Sequence, residues 1–164
     1  MTQVYLVRHA IAEPRGASWP DDALRPLSGQ GRQRFAAAAA GLARFEGIPE
    51  NILTSPYVRA RQTADLLAAA GGSGAAIELF SLLEPGHPPS TLFAGLRAWR
   101  SSKRVALVGH EPDLGGLAAA LLGAARPIPF KKGAVCRIDV AWGRVPTGTL
   151  IWFLPPAALR RLRR

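Results

Sequence analysis

Two short apolar runs dominate the hydrophobic pattern of the chain, and each of them ends in a histidine. Residues 4–7 (VYLV) lead into Arg8 and His9, and residues 104–109 (RVALVG) lead into His110. An unbroken apolar run of this length is typical of a strand that is buried on both faces, as in the centre of a parallel sheet. Because ligands bind at the carboxyl edge of such sheets, the pattern predicts both histidines at a ligand-binding edge.

Helical and strand patterns alternate along the rest of the chain. Ser28 before an alanine-rich stretch predicts a capped helix over Gly29–Phe45, and Ser55-Pro56 predicts the cap and first residue of a helix that continues to residue 70. The other predicted elements are strands at 51–54, 77–83, 135–140 and 149–154 and helices at 91–100 and 113–122. We therefore expect an α/β fold, a three-layer α/β/α sandwich with a mainly parallel central sheet and an antiparallel edge strand.

Length and composition favour one globular domain over residues 1–164. With 48% hydrophobic residues, wholesale disorder is not expected. No apolar run reaches the length of a membrane span, and the N-terminus lacks the pattern of a signal peptide. The single cysteine, Cys136, cannot form an internal disulfide, which fits a reducing compartment. We expect a cytoplasmic protein that does not contact membranes.

A formal net charge of +10 favours anionic ligands and partners, such as phosphorylated molecules or acidic protein surfaces. Part of the excess is local, because four of the last five residues are arginines: Arg160, Arg161, Arg163 and Arg164. No aromatic residues are interleaved with them for base stacking. We therefore interpret this segment as a solvated tail and do not favour nucleic acid as a partner.

The Arg8-His9 pair is the first candidate for chemistry. A neutral imidazole nitrogen is a competent nucleophile towards phosphorus, and an adjacent guanidinium binds phosphoryl oxygens through its planar fork of donors. Positive charge nearby also lowers the pKa of the imidazole and favours its neutral form. For an isolated Arg-His pair, however, a histidine hydrogen-bonded at a strand end is the preferred interpretation.

Arg59 and His110 are predicted to lie near the same edge. Arg59 falls in the first turn of the helix after Ser55, where free amides and the helix dipole suit anions, whereas Arg61 points elsewhere and is interpreted as a surface residue. His110 can donate a hydrogen bond to a phosphoryl oxygen. Metal binding by the two histidines is the weaker alternative, because no cysteine or carboxylate has ligand spacing around either of them. The irregular loop over residues 11–26 is expected to set specificity.

Glu84 lies at the end of the third predicted strand. Phosphoryl transfer from an oxygen leaving group requires a proton, which a carboxylic acid can supply. A loop glutamate with no role is an equally good interpretation of this residue.

Three motifs occur in an order that resembles a known family: RHA at 8–10, SPYVRARQT at 55–63 and GHEP at 109–112. Together they resemble the histidine phosphatase superfamily, the phosphoglycerate mutase-like group. The short chain and the segment RPLSGQG at 25–31 are similar to its SixA-type branch, the bacterial phosphohistidine phosphatases. The resemblance covers roughly residues 4–117.

The resemblance implies a phosphoglycerate mutase-like fold, His9 as a nucleophile that becomes transiently phosphorylated, and no metal or organic cofactor. It implies that Arg8, Arg59 and His110 hold the phosphoryl group. Ala10 replaces the glycine of the commonest first motif, a change that the SixA-type branch tolerates.

Glu84 is the least certain residue to carry over, because SixA-type sequences often carry their glutamate earlier relative to the proline. A phosphohistidine substrate reduces the need for an acid, since its leaving imidazole can be protonated beforehand. We therefore expect a metal-independent phosphatase that acts on phosphohistidine in proteins. One alternative is a phosphatase or mutase of a small phosphorylated metabolite, and the other is a basic module that binds an anion or RNA without catalysis.

Overall fold

The computed structural model describes residues 1–72 and 74–163. Its centre is a six-stranded sheet with the strand order β3-β2-β4-β1-β5-β6. The strands are Thr2–Arg8 (β1), Asn51–Thr54 (β2), Ala76–Leu79 (β3), Arg104–Gly109 (β4), Val135–Ala141 (β5) and Thr147–Leu154 (β6). Strands β1 to β4 run parallel, whereas β5 is antiparallel to both β1 and β6. The predicted antiparallel pair of strands near the C-terminus is confirmed. Strand β5, which runs against both of its neighbours, lies between β1 and the edge strand β6.

Helices cover both faces of this sheet, as predicted. The α-helices of the described residues are Gly29–Phe45 (α1), Val58–Ala70 (α2), Pro89–Leu96 (α3), Asp113–Leu122 (α4) and Pro156–Arg161 (α5). One core cluster joins the sheet to α1, α2 and α5, and a second joins the opposite face to α3 and α4. None of the described helices combines the length and the apolar character needed to cross a membrane.

The two cores explain the unbroken apolar run in β1. Successive side chains of a strand point to opposite faces, so Tyr5 and Val7 enter the core with α1 and α2, while Val4 and Leu6 enter the core with α4. All four are 2% exposed or less. A central strand with helices on both faces has no solvent side, and this is why no polar alternation occurs in its sequence.

Strand register brings the ends of the two apolar runs together. Arg8 lies opposite Gly109 in the parallel pair of β1 and β4, and the amide of His9 donates to the Gly109 carbonyl at 3.0 Å. On the other side of β4, the amide of Ser55 donates to the Val108 carbonyl at 3.0 Å. The residues that follow β1, β2 and β4 therefore leave the sheet at one edge.

The prediction for the third strand is wrong in its length. Strand β3 ends at Leu79, and Ser81–Leu83 forms a 3₁₀ turn that inserts Leu83 into the core with α3 and α4. Because β3 is an edge strand with mostly exposed positions, little apolar burial favours its extension. Glu84 consequently follows a turn and does not lie at a strand end.

The prediction for the start of α2 also needs correction. The helix begins at Val58, and Tyr57 occupies the capping position without a side-chain hydrogen bond to the helix. The hydroxyl of Ser55 accepts instead from the Tyr57 amide at 3.2 Å, within the turn that precedes the helix. Ser28, by contrast, caps α1 as predicted, because its hydroxyl accepts from the Gly31 amide at 3.0 Å.

The arginine-rich C-terminus is a helix through Arg161, which corrects the interpretation as a solvated tail. Helix α5 buries Leu159 completely against α1. Close approach of the two helices is possible because position 41 of α1 is a glycine, where a Cβ would overlap the Leu159 carbonyl oxygen. Arg161 and Arg163 are exposed, whereas Arg160 is half-buried. Arg164 lies outside the described residues.

We expect Gly41→Ala to lower the free energy of unfolding by about 1–3 kcal/mol, the usual cost of overfilling a packed contact. The added methyl would push α5 away from α1 and expose Leu159. Urea denaturation measures the change. Gly29→Ala in the same helix is the matched control, since a Cβ there meets no atom within 4 Å; equal destabilisation by the two variants would contradict the explanation.

Candidate active site

A polar cavity of about 590 Å³ opens at the sheet edge where β1 and β4 end. The structure brings four of the sequence-predicted residues together in its lining: Arg8, His9, Arg59 and His110. Glu84 is not among the lining residues, although the adjacent Pro85 is. The loop at 11–26 supplies a further wall of the cavity.

His9 is held in one tautomer by its own backbone neighbourhood. The side chain is 6% exposed, and its Nδ1 lies 2.8 Å from the Ala10 carbonyl oxygen. Because a carbonyl oxygen can only accept, Nδ1 carries the proton and donates it, which leaves the Nε2 lone pair free. The Ala10 amide in turn donates to the Thr63 hydroxyl at 3.1 Å, and that hydroxyl donates to the Arg59 carbonyl at 2.7 Å. Helix α2 thus fixes the segment that carries His9.

Burial and positive charge keep both imidazoles neutral. The pKa of His9 falls to about 3 chiefly because of burial, to which the charges of Arg59 and Arg8 add, against the opposing hydrogen bond to Ala10. Burial followed by the charge of Arg59 also lowers the pKa of His110 to about 3. The two ring centroids are 5.1 Å apart. At neutral pH the cavity therefore presents two uncharged imidazoles between two guanidinium ions.

Ser55 orients His110. The Ser55 hydroxyl oxygen lies 2.8 Å from Nε2 of His110, and both side chains are buried. This oxygen also accepts from the Tyr57 amide, and its own proton can be donated to Nε2. When Ser55 donates, the ring proton of His110 sits on Nδ1, a buried atom without a partner among the described residues. In that tautomer Nδ1 is a hydrogen-bond donor for an oxyanion.

We expect Ser55→Ala to release His110 from this tautomer and to lower kcat about tenfold, with little change in KM, as for loss of a group that orients a transition-state donor. Nitrogen chemical shifts of the histidine ring measure the tautomer directly. In the unchanged protein they should show the proton on Nδ1 of His110, and in Ser55→Ala a mixture. A proton found on Nε2 in the unchanged protein would contradict the assignment.

Arg59 is oriented by an acidic residue of the loop at 11–26. Its Nη1 donates to the Asp22 carbonyl at 2.7 Å, and its Nη2 donates to the Asp22 carboxylate at 2.9 Å. Burial tends to raise the pKa of Asp22, but the Arg25 hydrogen bond and the Arg59 charge outweigh it and lower that pKa. The Nε of Arg59 is buried and has no partner among the described residues. The two terminal nitrogens of the guanidinium are thus held by protein, while Nε has no protein partner among the described residues.

Arg8 has a corresponding arrangement. Its Nη1 donates to the Phe130 carbonyl at 2.5 Å, and its buried Nε has no partner in the described part of the chain. Glu111 also lines the cavity, and its buried Oε1 has no partner among the described residues. Burial raises the pKa of Glu111, although the charge of Arg8 opposes this.

Sequence reasoning missed Asp22 and Glu111 as parts of this cavity and Ser55 as the hydrogen-bond partner of His110. The sequence around Ser55 is typical of a helix cap, and Glu111 stands out only as part of the GHEP motif. The position of Glu111 directly after His110 is a signal that could have identified it. Asp22 carries no comparable signal, because its pairing with Arg59 depends on how the loop folds.

Arg8, Arg59 and His110, each with one buried nitrogen that has no partner among the described residues, line the same cavity as His9. No group of three or more His, Cys, Asp or Glu side chains arranged to hold a metal ion occurs within residues 1–72 and 74–163. The fold and the cavity define a class: an α/β protein whose sheet edge can bind an oxyanion beside a neutral imidazole.

Comparison with known proteins narrows this class. The sequence model of the histidine phosphatase superfamily (branch 1) matches residues 4–84. An uncharacterized protein of Picosynechococcus sp. is 40% identical over 121 residues, which are 73% of this chain and 72% of that protein. The phosphohistidine phosphatase SixA of Escherichia coli is 27% identical over 160 residues, 96% of either chain.

A solved structure gives the same result. The protein histidine phosphatase SixA complexed with tungstate superposes with a TM-score of 0.85 at 26% identity, covering 96% of this chain and 99% of that chain. The chain belongs to the histidine phosphatase superfamily, as its motifs predicted, and its relatives confirm the resemblance to the SixA-type branch. The superfamily and the fold together support phosphatase activity.

Proposed function

We propose that this phosphatase removes the phosphoryl group from phosphohistidine in proteins, with His9 as the nucleophile. The observation that carries the proposal is the hydrogen bond from His9 Nδ1 to the Ala10 carbonyl. It leaves Nε2 unprotonated in a cavity that Arg8, Arg59 and His110 also line.

The reaction takes place in two steps. In the first, the Nε2 lone pair of His9 attacks phosphorus, the P–N bond of the substrate breaks, and the substrate imidazole leaves with a proton. In the second, water attacks phosphorus, the P–Nε2 bond breaks, and inorganic phosphate leaves while His9 returns to its neutral form. Arg8, Arg59 and His110 donate to the phosphoryl oxygens in both transition states, which is the kind of preorganised stabilisation that contributes most in enzymes.

The protonation of the leaving group bears on the substrate class. An alkoxide leaving group needs an acid at its oxygen; Glu84 does not line the cavity, whereas Glu111, whose pKa is raised by burial, does. A phosphohistidine can bind with its imidazole already protonated and then leave as a neutral ring. The likeness to SixA, which is a protein histidine phosphatase, also supports this substrate class.

A substrate panel tests the proposal. The protein is assayed with a phosphohistidine peptide, a sugar phosphate and a nucleoside monophosphate, and kcat/KM is compared. We expect the phosphohistidine peptide to be preferred by at least about a hundredfold, which corresponds to about 2.7 kcal/mol of transition-state binding. A higher kcat/KM for a sugar phosphate would instead identify a phosphatase or mutase of small metabolites. Failure to trap any phosphoenzyme would favour the non-catalytic alternative.

The depressed pKa of His9 predicts the pH dependence. With a pKa of about 3, His9 stays unprotonated from pH 8 down to pH 5. With an ordinary pKa near 6.5 it would be mostly protonated at pH 5, and the rate would fall about thirtyfold. We therefore expect kcat/KM for para-nitrophenyl phosphate, corrected for the ionisation of the substrate, to change little over this range. A thirtyfold fall in kcat/KM between pH 8 and pH 5 would contradict the conclusion that burial lowers the pKa of His9.

A further inference from the structure

A second cavity lies directly beside the first and is also basic. It has a volume of about 200 Å³ and lies between α1, the start of α5 and the loop before β5. We call this cavity the basic pocket, because four cationic residues line it. They are Arg34, Lys131, Lys132 and Arg160. Its floor is apolar and includes Phe35 and Pro156.

The basic pocket adjoins the catalytic cavity. Lys132 lines both of them, and His9 and Ala10 are consecutive residues that face one cavity each. The amide of Gly133, next to Lys132, donates to the carbonyl oxygens of Arg8 and His9 at 3.1 Å. The loop that carries the two lysines is therefore attached to the backbone of the proposed nucleophile.

The four cations are available to an external partner. None of them forms a salt bridge with a carboxylate among residues 1–72 and 74–163, in contrast to Arg25 and Arg59, which both pair with Asp22. Arg34, Lys131 and Lys132 are exposed. Unpaired charges of one sign around an apolar centre have the composition of a recognition surface, with an apolar core and a polar rim.

We propose that the basic pocket docks acidic side chains that flank the phosphohistidine of the protein substrate. The proposal rests on the proposed function, because it assigns a second contact to the same substrate. Because the basic pocket is cationic, it would bind an acidic segment of the substrate. Because the pocket lies beside His9, that segment would be close to the phosphorylated residue. Phe35, the one aromatic residue among the described lining residues, is 2% exposed. The surface therefore offers no ring on which a nucleic-acid base could stack.

Docking at the basic pocket would determine which phosphohistidine substrates the protein prefers. Phosphoryl oxygens are the same on every substrate, so the catalytic cavity alone cannot distinguish one phosphohistidine from another. Contacts outside the cavity can do so. Exposed charges act mainly on association and on partner choice, so the pocket should change KM for a protein or peptide substrate and leave the chemical step unchanged.

Charge reversal with a matched control tests the proposal. The test variant is Arg34→Glu with Lys131→Glu. The control is Arg100→Glu with Lys103→Glu, two exposed residues that precede β4 and therefore lie at the opposite edge of the sheet. Both double variants change the net charge equally. Substrates are three phosphohistidine peptides of equal length with glutamate, glutamine or lysine flanks, and phosphoramidate as a substrate without flanks.

We expect the unchanged protein and the control to prefer the glutamate-flanked peptide over the glutamine-flanked one by about tenfold in kcat/KM, the effect of two exposed ion pairs. The test variant should lose this preference and favour the lysine-flanked peptide. All three proteins should hydrolyse phosphoramidate at rates within about twofold of each other, since rim charges contribute little to chemistry.

Three results would overturn the proposal, and they are distinguishable. If the test variant keeps the glutamate preference, the pocket does not dock acidic side chains. If the test variant loses activity on phosphoramidate as well, the substitutions act on the catalytic cavity and not on docking. If the unchanged protein hydrolyses phosphoramidate but no phosphohistidine peptide, the proposed function itself fails and the docking proposal fails with it.

Discussion

We expect His9→Ala to abolish turnover and to leave no covalently bound phosphate on the protein. The reason is that the proposed reaction passes through a P–N bond to Nε2 of His9, and no other described imidazole has this geometry. His110 is the nearest candidate at 5.1 Å between ring centroids, but its Nε2 is engaged by the Ser55 hydroxyl. The loss should therefore be complete, and not the partial loss that follows removal of one oxyanion donor.

Rapid quenching of the reaction with a phosphohistidine peptide labelled with ³²P measures this prediction. The unchanged protein should carry acid-labile, base-stable label, and His9→Ala should carry none. The matched control is His87→Ala, since His87 lies outside the cavity and its replacement should preserve both label and turnover. Measurable turnover by His9→Ala, or label that persists in that variant, would disprove the nucleophile assignment.

A second variant distinguishes loss of the nucleophile from loss of the fold. His9→Gly leaves space at the end of β1, in a cavity of about 590 Å³, and added imidazole can occupy that space. We expect imidazole to restore hydrolysis of the peptide without restoring label on the protein, because the P–N bond then forms on a molecule that diffuses away.

The closeness of His9 and His110 could be predicted from sequence, because neighbouring parallel strands end at the same edge of a sheet. Two unbroken apolar runs must both lie in the sheet interior, and parallel strands end at the same edge, so His9 and His110 had to be close if the strands were neighbours. The order of the RHA, SPYVRARQT and GHEP motifs supplied the remaining information. The structure adds that the strands are adjacent, with Arg8 opposite Gly109.

The supports of the site could not be predicted in the same way. Asp22 reaches Arg59 across 37 residues of sequence, through a loop whose path depends on contacts with α1 and α2. Ser55 looked like a helix cap because serine before proline is typical of that position, but its hydroxyl is used by His110. The burial of α5 could not be predicted from its composition, because Leu159, the leucine that docks the helix, is followed directly by arginines.

Asp22 gives Arg59 a role beyond that of a positive charge. The carboxylate and the carbonyl of Asp22 hold the two terminal nitrogens, so the guanidinium plane is fixed and its Nε edge is free. The guanidinium also lies over the Tyr57 ring, 5.0 Å from its centroid. A planar group held on one side can donate on the other without reorganisation, which a flexible ammonium cannot do.

We therefore expect Arg59→Ala to lower kcat/KM for the phosphohistidine peptide by a hundredfold or more, roughly the 3–4 kcal/mol that one preorganised oxyanion donor contributes. Arg59→Lys should recover only a small part of this loss, because lysine keeps the charge but lacks the planar fork. The matched control is Arg61→Ala, two residues further along α2. Arg61 forms an exposed pair with Asp65, and such pairs contribute less than about 1 kcal/mol.

The free energy of unfolding of each variant, measured in urea, separates a chemical effect from a structural one. Arg59→Ala should remain folded, because Asp22 keeps its hydrogen bond from Arg25. Equal kcat/KM for Arg59→Lys and the unchanged protein would show that charge alone is sufficient and that the Asp22 contact has no part in catalysis. Equal losses in Arg59→Ala and Arg61→Ala would show that general electrostatic attraction, and not a donor fixed in the cavity, drives the reaction.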